Sequence, residues 1–245
     1  MSDAKNKAQP LMTHFKELRK RIMLICLFFA LAFILSYFYK EQLYSFLLVP
    51  LEQALNLESK HELIFTALTE AFATYIKLAF FIGLLLTFPY LNYQLYNFIA
   101  PGLYKREKIF FRSIIFASPI LFYLGCAFAY YLIFPLAWQF FLSFESFNSV
   151  LPINLTAKIS EYLTLVMRIS IAFGLTFQLP ILLLLLVKAG LLQVASLKQK
   201  RKYALLAFFI IAAIITPPDV ISQIAIATSM YFLYELTLLI AARIK

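Results

Sequence analysis

Six apolar runs, separated by polar connections, organise this chain. They cover about residues 22–39, 71–99, 113–136, 162–187, 204–216 and 220–241. The first and third are uncharged. Lys77 interrupts the second, Arg168 the fourth and Glu235 the last. About 20 apolar residues cross a hydrocarbon core about 30 Å thick. The first four runs meet that length. The fifth falls short, covering only about 20 Å at 1.5 Å per residue. It either re-enters the membrane or crosses where the bilayer thins. Lipid admits only helices and closed barrels, because every backbone group must be satisfied internally. The runs lack the alternation and the roughly ten-residue length of barrel strands. The pattern therefore predicts an all-α membrane protein, a helical bundle in one membrane domain covering residues 10–242. Residues 1–9 and 243–245 form polar tails.

Between the runs, Leu11, Phe15, Leu18 and Ile22 recur at helical spacing. They predict an amphipathic helix lying on the membrane surface and leading into the first span. A polar stretch precedes that span and no small-residue cleavage site follows it, so it does not read as a cleaved signal peptide. In the connection 40–69, Leu43, Phe46, Leu47 and Leu51 predict a short interfacial helix broken at Pro50. In the connection 137–161, Trp138, Phe140, Phe141, Phe144 and Phe147 read either as an interfacial aromatic belt or as a structured cap.

Composition agrees: 63% of the 245 residues are apolar and 14% charged, which excludes an ordinary soluble domain. The net charge of +10 is distributed as a membrane protein distributes it, not as a nucleic-acid-binding surface. Lys5, Lys7, Lys16, Arg19, Lys20, Arg21, Lys105, Arg106, Lys108, Arg112, Lys188, Lys198, Lys200, Arg201, Lys202, Arg243 and Lys245 fall on one side. Only Lys40, Lys60 and Lys158 fall on the other. The positive-inside rule makes the rich side cytoplasmic, with both termini there and an even number of spans. Six crossings, or four and a re-entrant hairpin, satisfy it equally. The acids lean outward, so Glu17 and Glu107 stand out as carboxylates on a basic inner face.

Polar punctuation inside the spans is sparse. Pro89, Pro119 and Pro180 predict kinks in three successive spans, hence a curved bundle with a concave side. Asn92, Gln94 and Asn97 gather at the inner end of the second span. Lys77 and Arg168, about two turns in from the outer face, either snorkel or serve a function. Gln178, near mid-span, must face protein or trapped water. Glu235 is either protonated or paired across the bundle. Asp219, after Pro217-Pro218, is placed to cap the last helix or to bind, and Gln223 follows it. His14 reads as an interfacial histidine. Cys26 and Cys126 lie in spans and suggest neither disulfide nor metal. No Walker loop, His-Glu-x-x-His or Gly-x-Ser-x-Gly is present, so the chain does not read as an enzyme and no cofactor is expected.

Three motifs in order carry a resemblance: His14-x-x-Glu17-Leu18-Arg19-x-Arg21, Phe98-Ile-Ala-Pro-x-Leu103-Tyr104-x-x-Glu107, and Thr216-Pro-Pro-Asp219-x-x-Ser222-Gln223. Together with Phe128-Ala-Tyr130 and Phe134-Pro-Leu-Ala137 they resemble the TatC family over about residues 10–242. The resemblance implies a glove-like bundle of six membrane helices with short fifth and sixth members, in the bacterial cytoplasmic membrane. It implies a receptor and core subunit of the twin-arginine translocase, which exports folded proteins using the proton-motive force. Glu17, Glu107, Arg19, Phe98, Leu103 and Tyr104 match the signal-peptide site. Partners implied are single-span subunits of the TatA and TatB type, twin-arginine signal peptides, lipids and further copies of the chain. Gln178, Asp219, Gln223 and Glu235 are the polar candidates for partner contact on the concave face. One departure stands out: where the family commonly has glutamate in Phe-Glu-x-Pro, this chain has Phe177-Gln178-Leu-Pro180, which cannot ionise.

The residue types suit that task. Two consecutive arginines call for two separated acids, because a guanidinium fork matches a carboxylate bidentately and an ammonium does not. Exposed ion pairs contribute about 0–1 kcal/mol each, so the apolar part of a signal peptide must add affinity. The alternative for Glu17 is a plain i, i+4 pair with Arg21 that trims charge. A small-solute transporter with a midplane site at Gln178, Arg168 and Glu235 is the other functional class, although the chain has no internal repeat.

Overall fold

The computed structural model describes residues 11–54, 64–102, 105–143, 158–215 and 220–243; side chains at 11–13, 102, 105–107, 109, 215 and 221 are not described. Among the described residues the chain is helical. α1 (Leu11–Phe38) fuses the surface helix and the first span, α2 (Lys40–Ala54) lies in the first connection, and α3 (Glu70–Ile99) is the second span. α4 (Lys105–Phe128) passes through a π-turn, Ala129–Ile133, into α5 (Phe134–Leu142), forming one long third span. α6 (Ile159–Thr176) and α7 (Leu179–Lys188) form the fourth. α8 (Val194–Gln199), α9 (Arg201–Ile215) and α10 (Val220–Arg243) complete the chain.

Among the described residues, five helical stretches are long and apolar enough to cross a membrane. α9 is not among them: at 15 residues it covers about 22 Å. The short sixth helix implied by the resemblance is corrected, since α10 runs for 24 residues, or about 36 Å. Nothing in its sequence breaks it, and Arg201 neutralises the one acid inside it at 2.8 Å.

α1 packs along α3, and α3 packs on α4 and α6, which also pack on each other. α10 packs on α7 and α6 and pairs with α9. The packing thus runs from α1 at one end to α9 at the other. Two close approaches require glycine. A Cβ at Gly125 would stand 2.5 Å from the Phe173 carbonyl oxygen, and one at Gly174 would stand 2.6 Å from the Phe122 ring. These glycines set the α4–α6 crossing, as small residues do in membrane helices.

The prolines behave unequally. At Pro180 the fourth span breaks, with Phe177 and Gln178 forming a turn before α7. α3 and α4 continue through Pro89 and Pro119. Pro50, predicted to break the interfacial helix, lies buried inside α2. A proline lacks the N–H that would reach the carbonyl four residues back. For Pro50 that carbonyl is Phe46, and it accepts a hydrogen bond from the Tyr130 hydroxyl at 2.7 Å. For Pro89 it is Leu85, which accepts one from the Tyr123 hydroxyl at 2.8 Å. Before Pro135 the chain slips into π register, and the Phe134 N–H bonds to the Ala129 carbonyl.

The described aromatic residues of the connection 137–161 lie on α5, and Trp138 among them packs inward. Trp138 is buried, with its ring 5.1 Å from that of Tyr162, and the Tyr162 hydroxyl donates to the Leu47 carbonyl of α2 at 2.6 Å. Phe140 and Phe141 are half-buried. Phe144 and Phe147 lie outside the described residues. Glu70, opening α3, accepts from the Thr66 N–H and hydroxyl at 2.6 and 2.9 Å and from the Ala67 N–H at 3.2 Å. It also accepts from the Ser160 hydroxyl of α6 at 2.5 Å. Within the spans, Ser36, Thr87 and Thr237 donate to the carbonyls of Ala32, Gly83 and Leu233 at 2.7, 2.7 and 2.6 Å, so their hydroxyls are satisfied inside their own helices.

Candidate functional site

α3 ends at a proline, and that ending builds the site. The Ala100 N–H bonds to the Tyr96 carbonyl. The next carbonyl, Asn97, would be served by residue 101, which is Pro101 and has no N–H. Arg21 of α1 supplies the missing donor: its Nη2 lies 2.9 Å from the Asn97 oxygen. Its Nη1 donates to Gln94 Oε1 at 3.2 Å, and the Gln94 amide donates to the Tyr90 hydroxyl at 2.7 Å. The same guanidinium holds Glu17 Oε1 at 2.5 Å. Arg21 therefore bolts α1 to the end of α3 and fixes the orientation of the Glu17 carboxylate.

One turn earlier on α1, the His14 ring stacks on Phe98 with centroids 4.3 Å apart and planes at 26°. Below them, Leu18, Ile22 and Ile25 of α1 face Leu91, Leu95 and Phe98 of α3 across a groove of about 190 Å³, which Arg21 and Gln94 also line. Glu17 thus sits at the mouth of an apolar groove, its side chain 29% exposed. Its Oε2 makes no hydrogen bond among the described residues.

The structure brings Glu17 and Phe98 into this one site. Arg19 is exposed on α1. Glu107 lies in the first turn of α4 with its side chain not described. Leu103, Tyr104 and Asp219 lie outside the described residues. The i, i+4 pair between Glu17 and Arg21 is present, but it belongs to a larger junction. Sequence reasoning noted Arg21, His14, Gln94 and Asn97 without assigning them to the site. The available signal was Pro101, four residues after Asn97.

Of the concave-face candidates, Gln178, Gln223 and Glu235 are described, and Gln178 and Glu235 take different partners. Ser118 donates its hydroxyl to Gln178 Oε1 at 2.8 Å, and Gln178 Nε2 donates to the Ser118 carbonyl at 2.8 Å. This reciprocal pair clamps the α6–α7 break to α4. Glu235 is paired, as one of its two readings required: Arg201 Nη2 donates to its Oε2 at 2.8 Å, while Oε1 is buried without a hydrogen bond. Gln223 is half-buried near the start of α10. Arg168 lines a separate cleft with Lys77. Gln178, Arg168 and Glu235 thus go to three different places, which removes the shared midplane site a solute transporter would need. No group of His, Cys, Asp and Glu among the described residues could hold a metal ion.

The family model of the Sec-independent protein translocase protein (TatC) matches residues 13–228. The Rickettsia prowazekii protein named Sec-independent protein translocase protein TatC is 44% identical over 227 residues, covering 93% of this chain and 90% of that protein. The Escherichia coli K12 protein of the same name is 36% identical over 228 residues, covering 93% and 86%. Among solved structures, the crystal structure of a twin-arginine translocase receptor, TatC, superposes with a TM-score of 0.77. It is 32% identical and covers 93% of this chain and 99% of the other. With the five apolar spans, these likenesses make the chain an integral membrane protein and a member of the TatC family of Sec-independent protein translocase proteins.

Proposed function

We propose that this chain is the receptor and core subunit of a twin-arginine translocase in the cytoplasmic membrane, with both termini in the cytoplasm. It binds twin-arginine signal peptides there and nucleates assembly with TatA- and TatB-type subunits and with further copies of itself. The complex exports folded proteins on the proton-motive force. One observation carries this reading: a carboxylate, Glu17, is pre-oriented on a basic face at the mouth of an apolar groove, with Oε1 held by Arg21 and Oε2 free of hydrogen bonds among the described residues.

The mechanism follows from donors and acceptors. An incoming guanidinium takes Glu17 Oε2 while Arg21 keeps Oε1. Arg21 does not swing away, because Gln94 and the Asn97 carbonyl hold it at 3.2 and 2.9 Å. The carboxylate is thus ready at no reorganisation cost, as preorganised sites require. The second arginine of the peptide falls to Glu107. Arg19 keeps the surface positive and discourages peptides with surplus cations. Exposed ion pairs of about 0–1 kcal/mol each are too weak alone. The peptide's apolar stretch adds the rest by covering the groove walls at about 25 cal/mol per Å². Phe98, Leu103 and Tyr104 are the apolar contacts of the site. Gln178, Asp219, Gln223 and Glu235 are the polar candidates for contact with partner subunits, Gln178 and Glu235 beside the internal pairs they already make. Gln178 has no proton to release, so in this chain any proton-linked step runs through other groups.

The test is site-specific photocrosslinking from Phe98 to a signal peptide carrying Arg-Arg or Lys-Lys. The Arg-Arg peptide crosslinks about tenfold better, as the loss of two forked contacts implies. Glu17→Ala and Glu107→Ala each reduce the crosslink while the protein still assembles. Unchanged crosslinking in both variants overturns the proposal.

A further inference from the structure

On the side of the membrane opposite the termini, α3 and α6 part to leave an open cleft of about 430 Å³. Lys77, Ser160, Glu161, Thr164, Leu165 and Arg168 line it. Lys77 stands about 10 Å along α3 from Glu70, and Arg168 about 13 Å along α6 from Ile159, at 1.5 Å per residue. Both cations are exposed toward the cleft, and neither makes an ion pair or hydrogen bond among the described residues. Glu70 is held by Thr66, Ala67 and Ser160; Glu161, at the rim of the cleft, is 74% exposed and faces Lys158 at 3.6 Å, so two cations stand against one solvent-facing carboxylate. The Thr164 hydroxyl donates to the Ser160 carbonyl at 2.6 Å, so the cations are the cleft's free donors.

Two cations at membrane depth on one small cleft repel each other and are costly in hydrocarbon unless an anion joins them. We propose that the cleft binds the phosphodiester of an anionic phospholipid from that leaflet. Arg168 grips two phosphate oxygens with its fork, and Lys77 supplies a point charge from the facing helix. The acyl chains run down the outer surface of the bundle. The cleft's size favours a lipid over a protein: a phosphate and its glycerol fit, whereas a helix about 10 Å across does not. This site lies away from Glu17 and does not depend on the signal-peptide reading.

The experiment is native mass spectrometry of the purified full-length chain in neutral detergent. Phosphatidylglycerol or phosphatidylcholine with the same acyl chains is added. The chain is expected to retain one phosphatidylglycerol in preference to phosphatidylcholine. The double substitution Lys77→Gln with Arg168→Gln is expected to lower that adduct about tenfold, as two charge-assisted contacts would. The charge-matched control Lys198→Gln with Lys202→Gln, on the opposite side, changes it less than about twofold. Should the double variant fold poorly by circular dichroism, the two single variants and the charge-conserving Lys77→Arg decide: the singles lose adduct and Lys77→Arg keeps it. Equal loss in cleft and control variants overturns the proposal, as does equal retention of phosphatidylcholine. Displacement of the lipid by an equal concentration of glycerol phosphate overturns it too. So does a cleft variant that keeps the lipid but loses a co-purified single-span subunit bearing an intramembrane carboxylate.

Discussion

Arg21 shows how one side chain can serve a backbone defect and a binding site together. Pro101 ends α3 and orphans the Asn97 carbonyl. The guanidinium that reaches that oxygen at 2.9 Å also grips Glu17, so the helix ending and the carboxylate's orientation are one arrangement. Lysine cannot reproduce it, because one ammonium has neither the planar fork nor the reach for Glu17, Gln94 and Asn97 at once. Arg21→Lys is expected to cost about 1–3 kcal/mol, the usual penalty for a half-buried group left unmet. The readout is a lower midpoint of thermal unfolding in detergent, with a weaker Phe98 crosslink to the signal peptide. A variant that melts with the wild type would show that the fork does not hold the junction. Gln178 makes the complementary point. Its amide offers one donor and one acceptor to Ser118, both at 2.8 Å. An ionised glutamate there would set an oxygen against the Ser118 carbonyl. The neutral amide is therefore the residue that lets the α6–α7 break lock onto α4 without a proton.

At the scale of the helices, the same device recurs. Tyr130 reaches the carbonyl freed by Pro50, and Tyr123 reaches the one freed by Pro89. Each tyrosine comes from the α4–α5 span, so that span stitches the proline sites of α2 and α3. Tyr123→Phe and Tyr130→Phe keep the rings and remove only the donors. Each is expected to lower stability by about 1–2 kcal/mol, and the effects should add, because they act on different helices. Amide exchange should quicken around Leu85 in the first variant and around Phe46 in the second. Exchange unchanged in both would mean that lipid-facing water already satisfies those oxygens. These stitches mark the limit of what the sequence discloses. Each proline names the carbonyl it orphans, four residues back, but nothing local names the side chain that arrives from elsewhere. Length and apolarity suffice to locate a span, so the five long apolar helices among the described residues were legible. The last run, 220–241, already reached to within two residues of the end of α10 at Arg243; what it did not disclose is the partner of Glu235, which is Arg201. Likewise Pro50 read as a break until Tyr130 supplied its donor. Glu17 was legible as a rare acid on a basic face; the bolt that orients it was not.

For the whole molecule, the decisive geometry lies in the last two helices. Arg201 opens α9 and meets Glu235 of α10 at 2.8 Å, so the start of α9 is level with Glu235. α10 continues beyond that level to Arg243, about 12 Å further at 1.5 Å per residue. α8 fills the step, with the Leu197 carbonyl accepting from the Tyr234 hydroxyl at 2.8 Å. α9 at 15 residues covers only about 22 Å of a core about 30 Å thick. Its first two residues are Arg201 and Lys202, and cations are not left in hydrocarbon without cost. If α9 crosses, the bilayer must thin beside it and the last two turns of α10 stand clear of the core. If α9 and α10 form a re-entrant hairpin, both ends of α9 meet the same solution. Cysteine labelling separates these cases. With Cys26 and Cys126 replaced by serine, cysteine is introduced at Lys202 or at Val220 and probed with a membrane-impermeant maleimide. We expect Lys202→Cys to label in inverted vesicles and Val220→Cys in spheroplasts, giving six crossings with both termini inside. Labelling of both positions from the cytoplasmic side would make the pair a hairpin. The basic face would then still be cytoplasmic, so the Glu17 site would stand while the six-helix architecture would fall.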